Sequence, residues 1–171
     1  MSTSLGALSA SPAISVILPV LNEAPHLDES VSAILSQDYQ GMFEVILALG
    51  PSQDRTNEIA NALVLRDNRV KLVANPTGKT AAGLNLAIAA SQSSVIVRVD
   101  GHAKIPNNYL SLAIKILRET GAVNVGGVMA AEGISKFEKA VARAMRSPLG
   151  VGASRFHTGG EAGEVDTVYL G

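Results

Sequence analysis

The strongest constraint on this chain is an alternation of two patterns. Short runs of β-branched and aliphatic residues at 14–18, 43–49, 70–74, 95–99 and 123–129 are separated by stretches with helical spacing at 27–37, 56–66, 80–90 and 108–119. Near-continuous apolar runs read as strands buried on both faces rather than as half-exposed ones. A strand–helix order repeated in this way predicts a mostly parallel, doubly wound α/β sheet with helices on both faces. Leu27, Val31, Ile34 and Leu35 mark the inner side of the first helix. Ile59, Leu63 and Val64 mark the second, with Asp54 as its cap, and Leu84, Ala87 and Ile88 mark the third.

Length and charge narrow the function. A chain of 171 residues is large enough for one domain with its own core. A formal net charge of -1 argues against a general nucleic-acid binder, which carries a large basic excess. The absence of Cys excludes disulfides, thiolate metal sites and Cys nucleophiles, and it is compatible with a cytoplasmic location. No apolar run approaches the roughly 20 residues of a membrane-spanning helix. Residues 1–12, rich in Ser, Ala and Gly and without a basic leader region, read as a flexible tail, leaving 13–171 as the folded part.

The pattern changes after residue 130. Stretch 134–146 places Lys136, Lys139, Arg143 and Arg146 on one helical face and Ile134, Phe137, Val141 and Met145 on another, an amphipathic basic helix. A Gly-rich, loop-like stretch follows at 147–163. Residues 165–170 look like one more strand, directly before Gly171, which is the pattern of a fold cut short.

Several nucleotide motifs are missing. No G-x-G-x-x-G follows the first strand and no G-x-x-x-x-G-K-[ST] is present, since the Gly78-Lys79-Thr80 run lacks the earlier glycine that a phosphate cradle needs. Polar residues instead stand at successive strand ends: Asn22-Glu23, Ser52 to Asp54, Lys79, and Asp100-Gly101-His102. In a parallel sheet these ends share one edge, where ligands bind. Asp100 and His102, separated by a glycine that lets the backbone bend sharply, can turn toward one divalent cation. The set suits a nucleoside diphosphate bridged by Mg²⁺ or Mn²⁺.

These segments resemble the family-two glycosyltransferases of GT-A fold, a Rossmann-like architecture. Ile14-Ser-Val-Ile-Leu-Pro-Val-Leu-Asn-Glu23 is similar to their opening strand and turn, and Gly50-Pro-Ser-Gln-Asp-Arg-Thr56 to their second turn. Gly78-Lys-Thr-Ala-Ala-Gly-Leu-Asn85 is similar to their third-helix motif, and Asp100-Gly-His102 stands where the metal motif belongs. The similarity is strongest to the exopolysaccharide, succinoglycan-type glucosyltransferase branch.

The resemblance implies roles. Pro19, Asn22 and Glu23 would form the nucleoside-side turn. Asp54 would accept from base or ribose, or serve only as a helix cap. Lys79 would meet phosphate, and Asn85 would be a buried structural amide. Asp100 would face the donor and, with His102, hold Mn²⁺ or Mg²⁺, the imidazole shifting preference toward Mn²⁺. Leu49-Gly50 stands where members usually carry an acidic residue for the base. No matching catalytic carboxylate precedes Gly171, so the base is expected beyond it.

The implied activity is inverting transfer from a nucleotide-diphosphate sugar, a UDP-hexose, to a saccharide or lipid-linked saccharide in exopolysaccharide or cell-envelope synthesis. Stretch 134–146 would then either pack its apolar face on the sheet and leave the basic stripe in solvent, or rest on the inner face of an anionic membrane. The alternatives are a non-catalytic nucleotide-binding module and a nucleotidyltransferase. The second needs a Gly-rich loop where Pro19-Val-Leu-Asn-Glu23 stands.

Overall fold

The computed structural model describes residues 8–127 and 163–164. The chain divides into two compact units, Met1–Gly121 and Ala122–Gly171. Within the first, β1 (Ile14–Val20), β2 (Phe43–Leu49), β3 (Val70–Ala74) and β4 (Val95–Arg98) alternate with α1 (Leu27–Leu35), α2 (Thr56–Arg66) and α3 (Thr80–Ala90), and α4 (Tyr109–Thr120) follows β4. The four strands are all parallel, in the order β3-β2-β1-β4. The connections step outward from β1 to β2 to β3 and then return to the far side of β1. The point where the order reverses lies between the carboxyl ends of β1 and β4, the place where open α/β sheets bind ligands.

Burial follows from that order. β1 lies between β2 and β4, and Ile14, Val16, Ile17, Leu18 and Val20 are all 2% exposed or less. Alternate residues of a strand face opposite sides. Ile14, Val16, Leu18 and Val20 therefore join Leu27, Val31 and Ile34 of α1, Leu63 of α2, and Leu110 and Ile114 of α4 in the larger core. Ile17 joins Ile46, Ala48 and Ala87, with Leu84 and Val73 packed against them, in a smaller core under α3. Helices thus cover both faces, as the alternation predicts.

The structure shifts some boundaries. β1 runs through Pro19 to Val20, beyond the predicted end at residue 18. Pro19 is tolerated because Val99 N–H bonds the Ile17 carbonyl and Gly50 N–H bonds the Val20 carbonyl. Odd positions of β1 therefore point toward β4, whose pairing with β1 ends at Ile17 and Arg98. β4 itself stops at Arg98, one residue short of the predicted Val99.

α1 ends at Leu35 rather than at Gln37. Gln37 turns inward instead, its Nε2 donating to the carbonyls of Ala33 at 3.2 Å and Pro106 at 2.7 Å. Its Oε1 accepts from Leu110 N–H at 3.0 Å, capping α4 from outside that helix. α4 begins at Tyr109 and closes on Gly121 in the left-handed region, φ 69.

On α3 the inward residues are Gly83 and Ala87 with Leu84 partly covered, whereas Ile88 is 48% exposed. The helix sits so close to the sheet that its smallest residues make the contact. The predicted strand over 123–129 does not form over its described part, residues 123–127. Stretch 134–146 and the strand-like 165–170 lie outside the described residues, as does 147–163 apart from Gly163. Residues 1–7 of the predicted tail do too. Leu8 packs against the larger core, and the Pro12 carbonyl accepts from Tyr39 Oη at 2.6 Å.

Candidate functional site

The loops after β1 and β2 are joined by reciprocal hydrogen bonds. Asn22 N–H donates to Ser52 Oγ at 3.0 Å, and Asn22 Oδ1 accepts from Gln53 N–H at 2.8 Å. Asn22 has φ 56, the left-handed region that Asn tolerates better than most side chains. Glu23 N–H donates to Thr56 Oγ1 at 2.8 Å, and Ala24 N–H to Asp54 Oδ2 at 3.1 Å. Asp54 Oδ1 accepts from Thr56 N–H at 3.0 Å and from the Thr56 hydroxyl. Bonds from the Thr56 side chain, and then from the Thr56 and Ala24 amides, hold Asp54 below the usual carboxylate range against a smaller opposing effect of burial. The N-cap of α2 is Arg55, without a side-chain cap bond, rather than the expected Asp54. Asp54 sits one residue earlier, bonds the Thr56 amide and, through its other oxygen, ties the start of α2 to the turn after β1.

The loop after β3 is built around Asn75, which is 2% exposed. Its Nδ2 donates to the Lys79 carbonyl at 3.1 Å and its Oδ1 accepts from Thr77 Oγ1 at 2.9 Å. A Cβ on Gly83 would lie 2.8 Å from Asn75 Nδ2, so any side chain there would have to displace the amide. Gly78, at φ 64, meets the neighbouring loops, and a Cβ on Gly50 would come within 3.3 Å of Gly78 Cα and 3.0 Å of Leu21 Cδ1. These approaches bring Lys79, next in sequence, to the edge that carries Asn22 and Asp54. Lys79 is exposed at the start of α3. Asn85 is exposed as well, which corrects its expected role as a buried amide.

At the reversal point, Arg98 Nε and Nη2 donate to Asp100 Oδ1 at 3.1 Å and 2.9 Å. Both bonds fall on one oxygen, leaving Oδ2 outside that pair. The Asp100 side chain is 17% exposed and the His102 side chain 61%. His102 Nδ1 lies 3.0 Å from Glu23 Oε1, a contact between residues 79 apart in sequence. Gly101 is not among the residues with positive φ, so its value is not the sharp bend expected from the sequence. A Cβ there would meet Glu23 Cγ at 2.9 Å, and glycine leaves the room through which Glu23 passes to reach the imidazole.

No group of three or more His, Cys, Asp or Glu poised to hold a metal ion occurs among the described residues. A cation here would take Asp100 and His102 from the protein and fill its other positions with phosphate oxygens and water, as Mg²⁺ commonly does. The available donors, Asp100 Oδ2 and His102 Nε2, fit that division.

The family model "Glycosyl transferase family 2" matches residues 15–164. The chain belongs to this family. It is 34% identical over 146 residues to the succinoglycan biosynthesis protein ExoA of Rhizobium meliloti (strain 1021), covering 84% of this chain and 44% of that protein. Among solved structures, it is similar to the mannosyltransferase PcManGT from Pyrobaculum calidifontis, whose structure is a complex with GDP-Man and Mn²⁺. That match has a TM-score of 0.59 and 28% identity, over 78% of this chain and 40% of the other. S. aureus TarS 1-349, in complex with UDP, shares the fold at a TM-score of 0.60 and 21% identity, over 72% of this chain and 38% of the other. The doubly wound GT-A architecture expected from the sequence is therefore the one found, and the chain spans less than half the length of these relatives.

Sequence patterns place Asn22, Glu23, Asp54, Lys79, Asp100 and His102 at the edge without their connections, and they leave out Arg98, Thr56 and Asn75. Arg98 ends β4 and Asp100 follows two positions later, an i, i+2 spacing of opposite charges that is a signal open to a reader. The role of Asn75 depends on Gly83, a distant glycine with no local signature.

Proposed function

We propose that this chain forms the donor-binding part of an inverting glycosyltransferase. It uses a UDP-hexose and Mn²⁺ or Mg²⁺ to extend a saccharide in exopolysaccharide or cell-envelope polysaccharide synthesis. The observation that carries the reading is the Asp100–His102 pair at the reversal point, each residue oriented by a protein partner. The succinoglycan-biosynthesis relative supports the polysaccharide setting, and the mannosyltransferase complex with Mn²⁺ supports the metal.

When bound, the cation would offset the negative charge growing on the departing diphosphate. Asp100 and His102 would hold it, and Asp100 would also face the donor. Lys79 adds a cation where the amide groups at the start of α3 already favour phosphate. Pro19, Asn22, Glu23 and Asp54 shape the turn on the nucleoside side, the last two through the bonds that lock it. None of the described residues is named as the general base that takes the acceptor's proton. We assign the acceptor as a saccharide or lipid-linked saccharide. The basic pattern of 134–146 supports a peripheral position on the inner face of the cytoplasmic membrane.

Calorimetry with Mn²⁺ and either UDP or GDP tests the reading on wild type and His102→Ala. UDP affinity that depends on Mn²⁺ and falls about 100-fold in the variant, ~2.7 kcal/mol, is expected. Equal affinities in both proteins overturn the metal assignment, and tighter binding of GDP than of UDP overturns the base.

A further inference from the structure

We infer that Glu23 is a positioning residue for His102, holding the imidazole with its proton on Nδ1 so that Nε2 is free to ligate the cation. The inference rests on the metal reading above and moves Glu23 from the nucleoside turn to the metal side of the site.

Three observations carry it. First, Glu23 Oε1 lies 3.0 Å from His102 Nδ1. An ionised carboxylate only accepts, so with a neutral imidazole the bond puts the proton on Nδ1 and leaves Nε2 with its lone pair. Second, Glu23 itself is held in place. Its N–H donates to Thr56 Oγ1, its carbonyl accepts from His26 and Leu27 N–H at the start of α1, and its side chain is 19% exposed. A carboxylate fixed by the second turn and the first helix can orient an imidazole that is itself 61% exposed. Third, the side chain reaches His102 only across Gly101, where a Cβ would meet Glu23 Cγ at 2.9 Å and Cδ at 3.3 Å. The glycine between the two ligands thus serves the residue behind them. Imidazole ligands commonly donate their second nitrogen to a carboxylate, which sets ring orientation and tautomer.

The pair divides the work between two loops. β4 supplies the ligand and β1 supplies its orientation, and the two meet only because β1 and β4 are neighbours in the sheet. A change in the turn after β1 therefore reaches the cation without touching it.

The full chain tests this in two ways. Long-range ¹⁵N–¹H correlation spectra of wild type report the His102 tautomer directly. A proton on Nδ1 is expected, and a neutral ring protonated on Nε2 overturns the proposal whatever the variants do. Mn²⁺ binding, followed by electron paramagnetic resonance with UDP present, is then compared across His102→Ala, Glu23→Ala, Glu23→Gln and Gly101→Ala. Glu23→Ala should weaken Mn²⁺ about 10- to 100-fold, as loss of such an orienting partner commonly does.

Glu23→Gln, whose amide oxygen still accepts from Nδ1–H, should recover part of that loss, and Gly101→Ala should resemble Glu23→Ala. Circular dichroism melts confirm that each variant is folded. Wild-type Mn²⁺ affinity in folded Glu23→Ala, with loss in His102→Ala, overturns this inference and leaves the metal reading standing. Equal Mn²⁺ binding by wild type and His102→Ala overturns both.

Discussion

At the amino end of the sheet, Ser15 Oγ donates to Glu44 Oε1 at 2.6 Å, and Lys71 Nζ meets the other carboxylate oxygen at 2.5 Å. Ser91 Oγ donates to Ser15 Oγ at 2.7 Å, and Ser93 Oγ lies 2.9 Å from it. At the carboxyl end, Glu23 and Arg98 also hold partners, but each leaves an atom of that partner available: Nε2 of His102 and Oδ2 of Asp100. Both ends contain a carboxylate with under a fifth of its side chain exposed. The amino end closes its hydrogen bonds on itself, with Ser15 at 0% exposure. The carboxyl end leaves the His102 side chain 61% exposed and one Asp100 oxygen outside its ion pair. A closed polar cluster stabilises the strands it joins, whereas a site needs groups that are oriented and still open.

The comparison can be broken at either end. The largest effect is expected from Gly83→Ala at the carboxyl end. Alanine favours the helix by roughly 0.5–1 kcal/mol over glycine. The new Cβ, however, would lie 2.8 Å from the buried Asn75 amide, which holds the Lys79 loop by two bonds. Overpacking of this kind costs about 1–3 kcal/mol. The net result should be a lower melting temperature together with weaker UDP binding. A variant as stable as wild type would show that Asn75 can move aside without consequence.

A smaller, pH-dependent effect is expected from Glu44→Gln at the amino end. Burial acts most strongly on Glu44 and raises its pKa. Hydrogen bonds from Lys71 and Ser15, the Lys71 charge and the Gln92 backbone together outweigh burial and leave the carboxyl below its ordinary 4.5. A depressed carboxylate contributes stability that is present above the unfolded-state pKa and is lost as pH falls through the folded one. Urea melts should therefore show wild type more stable than the variant at neutral pH, the gap closing below about pH 4. Metal-dependent UDP binding should be the same in both. A gap that is constant with pH would remove the ionised carboxylate from the account.

The smallest effect is expected at the rim. Arg55 and Glu58 form an ion pair with side chains 81% and 71% exposed. Arg55→Ala should change stability by no more than about 0.5 kcal/mol, and less in high salt. A larger loss would mean that the loop between β2 and α2 relies on Arg55 for more than this pair.

Much of the architecture was legible because the signals are local. The apolar runs of β2 and β3, and the helical spacing of α2 and α3, sit at the predicted limits 43–49, 70–74, 56–66 and 80–90. A parallel sheet then puts Asn22, Asp54, Lys79 and Asp100 at one edge by its geometry alone. What tertiary structure decided is how those residues are joined. Strand order places β4 beside β1 and so lets Glu23 reach His102 across 79 positions, a pairing that no local pattern encodes. The same holds for glycine. A sequence shows that Gly83 and Gly101 lack side chains, but the space they leave has meaning only once Asn75 and Glu23 fill it. Ile88 and Asn85 reversed their expected exposure for the related reason that α3 approaches the sheet along Gly83 and Ala87. Periodicity identifies which residues can be buried, and the closeness of two packed elements determines which of them are.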